Sequence, residues 1–207
     1  MTDRLHLTHL DACRTAFPGA PAAAAKILFL GEDNPVSSAP EHALFPYPEG
    51  CAGERFCNAI LGVTRHTYLA TWRTNLCVGG WDRSDAIARA HDLFFTASRP
   101  WNTIVLLGAK VMDAFTRMLK PSAPKLKLKP FTTTLLDMRG RVDAVGKRQL
   151  DEDVVLVSLP HPSGRNFVWN EPRCAVQARA LLREVAPDYP WGEALISDVA
   201  DQALEGS

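Results

Sequence analysis

At 207 residues, 46% hydrophobic and 22% charged, the chain is long enough for one domain with a real core and too short for two comfortable ones. Its 23 basic residues balance 23 acidic ones, which argues against an electrostatic carpet for nucleic acid but leaves room for a local basic patch. Five cysteines, an odd count with no Cys-x-x-Cys pair, argue against a disulfide framework and suggest reduced thiols in a cytoplasmic protein. Residues 2–9 are polar and charged, unlike a signal peptide, and the longest apolar runs fall short of a membrane span.

In chain order, residues 1–21 read as a helix or two short turns ahead of the Pro18-Gly-Ala-Pro21 break. Residues 26–30 form a buried strand that ends in the turn Gly31-Glu-Asp-Asn-Pro35. Residues 36–51 hold Pro40, Pro46, Pro48 and Gly50 and predict a long ordered loop, which Phe45 and Tyr47 mark as functional. A helix is predicted over 52–61 with Gly62 as its C-cap. Residues 68–72 lead into a second strand finishing at 74–77, and Gly79-Gly80 breaks the pattern. Asp82 or Ser84 caps a helix running to about residue 97. Residues 103–107 are the third strand, Gly108 the turn, and 110–119 the following helix. Lys120, Lys125, Lys127 and Lys129, set among prolines, make 121–130 a basic extended linker. Residues 131–138 suggest an added strand and 139–153 a charged excursion with little core. The fourth strand runs from 154 to His161, 171–185 is the closing helix, and the tail after Pro187 is peripheral. No internal repeat is visible.

Strands alternating with helices imply an α/β protein with a parallel sheet covered on both faces. The expectation is a single domain, core about 26–186, built as a three-layer α/β/α sandwich around a four-stranded parallel sheet. Ligands bind such sheets outside the carboxyl ends of the strands. All four strands end in a polar signature: Gly31-Glu-Asp-Asn-Pro35, Thr74-Asn75, Gly108 and His161-Pro-Ser-Gly164. The last is the richest, with His161, Ser163, Arg165 and Asn166 in six positions stiffened by Pro162 and loosened by Gly164.

Several chemistries find no support. Neither Gly-x-Gly-x-x-Gly nor the Walker pattern occurs, so no phosphate loop is expected. The six histidines are scattered and none pairs with a cysteine at ligand spacing, so no metal or other cofactor is expected. Ser163 lacks the Gly-x-Ser-x-Gly elbow of an acyl-transfer nucleophile.

Four stretches together resemble the uracil-DNA glycosylase superfamily. Residues 27–35, ending Gly31-Glu-Asp-Asn-Pro35, are similar to its first catalytic motif. Gly50-Cys-Ala-Gly-Glu-Arg-Phe56 resembles the helix start that follows. Thr74-Asn-Leu-Cys77 looks like the strand end whose Asn reads the base, and Leu159-Pro-His-Pro-Ser-Gly-Arg165 like the second motif. The ordered set covers residues 26–185.

The resemblance implies a fold, an activity and a site. Asp33 or Asn34 would position the hydrolytic water: alignment on Gly31 favours Asp33, alignment on Pro35 favours Asn34, and Glu32 is a third option. His161 would stabilise charge as the bond to the base breaks. Asn75 would hydrogen-bond the base edge, and Phe45 or Tyr47 would stack on its face. Ser163, with Gly164 and Asn166 around it, would contact DNA phosphate. Arg165 falls where relatives carry an apolar wedge and as a cation would contact DNA phosphate too, and the four-cysteine iron–sulfur pattern of some branches is missing. The implied function is monofunctional excision of uracil or a modified pyrimidine, bulky ones included, from single- or double-stranded DNA. No lysine in either motif suggests a Schiff-base step. The rival readings are a module that binds an unusual base without cutting and a hydrolase of free nucleosides. No heptad argues for a dimer, so a monomer is expected.

Overall fold

The computed structural model describes residues 26–33, 42–95, 99–137 and 153–191. The predicted segments 1–21 and 139–152, the tail beyond 191, Cys13, Asn34 and the first part of the 36–51 loop lie outside them.

Five strands form one sheet: β1 (Ile27–Gly31), β2 (Trp72–Asn75), β3 (Thr103–Leu107), β4 (Thr132–Leu136) and β5 (Val154–Leu159), in the order β2-β1-β3-β5-β4. β2, β1, β3 and β5 run parallel, and β4 lies antiparallel to β5 at the edge. The expected four-stranded parallel sheet is thus a mixed, five-stranded one. The reason lies in the side chains of β4. The four parallel strands are buried almost throughout, three of them (β1, β3 and β5) as largely apolar runs, whereas residues 132–135 alternate between half-buried and exposed positions. A strand wetted on one side belongs at an antiparallel edge.

Alternate residues of each parallel strand enter opposite cores. Leu28, Leu30, Ile104, Leu106 and Leu156 pack with α3 (Arg83–Phe94) and α4 (Ala109–Leu119). Ile27, Phe29, Val105, Leu107, Val157 and Leu159 pack with the π-helical turn Phe56–Leu61 that continues α1 (Ala52–Arg55), and with α5 (Pro172–Val185). Gly62 ends the π-helical turn in the left-handed region (φ 65°), as a C-cap should. Asp82 caps α3 by accepting the Asp85 N–H, and α3 stops at Phe94, short of the predicted end.

Two segments differ from expectation in an instructive way. Residues 68–72 do not simply lead into β2: α2 (Arg65–Leu69) ends there, burying Tyr68. The basic linker is extended as expected, yet Leu126 and Leu128 pack on the first core while Lys125, Lys127 and Lys129 face water. Among the described residues, no helix is long and apolar enough to cross a membrane.

Candidate active site

The register brings the four parallel strand ends to one edge. Gly31 of β1 pairs with Asn75 of β2, and Leu107 of β3 with Leu159 of β5. Gly108 N–H donates to Leu159 O at 2.9 Å, so the turn after β3 and the Pro160-His161 exit from β5 leave side by side.

Two glycines make the crowding at this edge physically allowed. A Cβ on Gly108 would stand 2.6 Å from Glu32 Oε1 and 3.2 Å from His161 Cβ. The missing side chain is what lets the loop after β1 meet the loop after β5. A Cβ on Gly31 would overlap Asn75 Oδ1 and touch Leu44, so that glycine seats the carboxamide and the 42–51 loop against the end of β1.

Glu32 is anchored from three sides. Its carbonyl accepts the Cys77 N–H at 2.9 Å, its Oε2 pairs with Lys110 Nζ at 3.3 Å, and its Oε1 faces Gly108. Lys110, in the first turn of α4, also lies 5.4 Å from the Trp81 ring centre. Asp33 is half-buried and close enough for its charge to raise both the Cys77 thiol and His161.

His161 is held by its own loop. Its Nδ1 accepts the Ser163 N–H at 3.2 Å, and its carbonyl accepts from Asn166 Nδ2 (3.2 Å) and Trp169 Nε1 (3.0 Å). Burial holds the imidazole below the ordinary histidine range; Glu32 and Asp33 pull it back up, and Lys110 pushes it down. A neutral ring whose Nδ1 accepts must carry its proton on Nε2. His161 therefore offers the edge a neutral N–H donor.

Asn75 is only 7% exposed, yet its carboxamide makes no hydrogen bond with the described protein. Its amide atoms are not among the fully buried polar atoms that lack a partner, so they open to solvent at this edge, where a ligand with complementary edge groups can reach them.

The 42–51 loop is clamped over this place. Tyr68 Oη donates to Leu44 O (2.9 Å), the buried Arg73 donates through Nη1 to Ala43 O (2.9 Å), and Cys51 Sγ donates to Phe45 O (3.2 Å). Gly53 sits so tightly under the Leu44 and Phe45 carbonyls that no Cβ fits. Phe45 is half-buried, and Tyr47 stands out at 67% exposure. In the loop after β5, Ser163 is half-buried and Gly164 and Arg165 are exposed. Asn166 spends its amide locally, on His161 O and as cap of the 3-10 turn Phe167–Asn170.

Of the residues singled out from sequence, Glu32, Asp33, Asn75 and His161 gather at the one edge, with Phe45 on the loop that covers it; Asn34 lies outside the described residues. Sequence reasoning missed Lys110, Arg55, Arg73 and Phe167. Lys110 follows the Gly108 turn directly, and Arg73 interrupts a buried strand; both were legible signals. The seat of Arg55 against Gly164 and the exposure of Phe167 were not. Among the described residues, no three His, Cys, Asp or Glu side chains gather as a metal site. No family model, curated protein or solved structure matches the chain.

Proposed function

We propose that this is a DNA glycosylase of the uracil-DNA glycosylase kind, a three-layer α/β/α sandwich that hydrolyses the bond between a flipped-out pyrimidine and its sugar. The observation that carries the reading is the meeting of Glu32 with a neutral, Nε2-protonated His161 across Gly108. Excision needs those two parts: a group that orients water toward the anomeric carbon, and a donor for charge gathering on the leaving base.

In this mechanism, water held by Glu32, or by its neighbours Asp33 and Asn34, adds its oxygen to the anomeric carbon as the bond to the base nitrogen breaks. The electron pair departs with the base, whose oxygen accepts from His161 Nε2–H, and the proton of the water passes to the carboxylate. A neutral donor suits this task because it keeps its hydrogen bond without surrendering the proton early. The unpartnered Asn75 carboxamide reads the base edge, Phe45 or Tyr47 stacks on its face, and an abasic site remains.

The test is incubation with duplexes carrying uracil, hypoxanthine or modified cytosines, followed by mild alkali. Strand breaks at the marked base, lost in a folded His161→Ala variant, are expected. Retention of the duplexes without breaks would replace the enzyme with a binding module. Release of bases from free nucleosides alone would move the substrate out of DNA.

A further inference from the structure

We infer that Arg55 completes a phosphate subsite with the turn Ser163-Gly-Arg165, gripping the backbone of the strand whose base enters the edge site. This inference rests on the DNA reading above. Arg55 closes α1, more than one hundred residues before that turn in the chain. A Cβ on Gly164 would stand 3.0 Å from Arg55 Nη1, so the guanidinium lies directly against the turn.

Three features argue for an anion there. Arg55 is half-buried, and its side chain has no carboxylate or carbonyl partner among the described residues. The nearest acid in sequence, Glu54, is occupied by the Gly50 N–H (3.2 Å) and Asn58 Nδ2 (2.7 Å). On the other side, among the described residues the Gly164 and Arg165 N–H groups donate to no acceptor and Ser163 Oγ has no partner. A planar five-donor fork lying against a turn that carries two unpaired amides and a hydroxyl supplies the donors that the oxygens of a phosphodiester accept. The neutral overall charge makes such a local cluster the natural source of DNA affinity.

The subsite also has a geometric consequence for the reaction. The Ser163 N–H is already committed to His161 Nδ1. A phosphate gripped at the next two residues therefore sets the distance between the backbone and the imidazole, which places the departing base.

The experiment is fluorescence anisotropy of a labelled duplex of ordinary bases against wild type, Arg55→Gln, Arg55→Lys and the control Arg117→Gln across a salt series. Arg117 pairs with Asp113 on the exposed face of α4. Arg55→Gln is expected to bind about tenfold more weakly and to lower the log–log salt slope by about one. Arg55→Lys should keep the slope while binding a few-fold more weakly, and it carries the test if the glutamine variant fails to fold. An unchanged slope in Arg55→Gln, or an equal loss in Arg117→Gln, overturns the subsite. Wild-type protein that binds no duplex at all overturns the DNA reading beneath it. If no marked base is excised but the slope changes as stated, the subsite stands and only the enzymatic reading falls.

Discussion

Replacing Gly108 by alanine strikes the point where the two loops meet. Gly108 has φ 105° and ψ 158°, a region essentially closed to residues with a Cβ, at about 1–3 kcal/mol. The new methyl would also sit 2.6 Å from Glu32 Oε1 and 3.2 Å from His161 Cβ. The carboxylate can swing aside, forfeiting its half-exposed pair with Lys110, worth under about 1 kcal/mol. His161 Cβ is tied to the backbone and can yield only a few tenths of an ångström. The sum is about 2–4 kcal/mol, or a fall of roughly 5–10 °C in Tm for a chain of this size. Gly79→Ala supplies the comparison, because Gly79 also has positive φ (74°) but would meet nothing within 4 Å. Its cost comes from backbone conformation alone, about 1–2 kcal/mol. Urea denaturation of both variants at one pH, with m values compared, measures the difference. If Gly108→Ala proves no less stable than Gly79→Ala, the close approach of Glu32 and His161 is not what the glycine serves.

Protonating His161 should work against folding. Burial lowers its folded pKa below the ordinary 6.5, so as pH falls through that value the unfolded chain binds a proton first. The contribution is therefore nil above about pH 7.5, and stability is progressively lost on acidification until the folded ring also titrates. Urea midpoints should drop less steeply with acid in His161→Asn than in wild type; an equal or steeper drop would contradict the assignment. Asn75→Ala removes an amide that pairs with none of the described residues, so the unfolding free energy should change by less than about 1 kcal/mol. Excision, by contrast, should fall by at least about a hundredfold if that amide reads the base. A large loss of stability would mean Asn75 is a structural tie instead. Phe167 is 76% exposed beside the His161 loop. Phe167→Ala should leave stability within about 0.5 kcal/mol; if the exposed ring fills the stack vacated by a flipped base, excision from duplex should weaken more than from single strands. Equal effects on both substrates would exclude that role.

Local patterns carried much of the architecture. Apolar runs such as Val154–Leu159 are strands buried on both faces, and such burial leaves no other way to write them. Asp82 and Gly62 marked helix ends because capping and left-handed backbone are chemistry of single residues. Turn polarity at each strand end was enough to point to the carboxyl edge, where Glu32 and His161 indeed stand. The antiparallel seat of β4 was not legible, since a short run of threonines fits either direction until its neighbour is fixed.

What the sequence determined by itself was thus the inventory: which segments are strands, where they end, and which polar groups wait there. Only tertiary structure decided the pairings among those groups. Lys110 reaches Glu32, Arg55 reaches Gly164 and Arg73 reaches Ala43 across gaps of thirty to more than one hundred residues. A contact of that kind leaves no local periodicity, because it is made by packing two layers against one sheet rather than by the conformation of either segment.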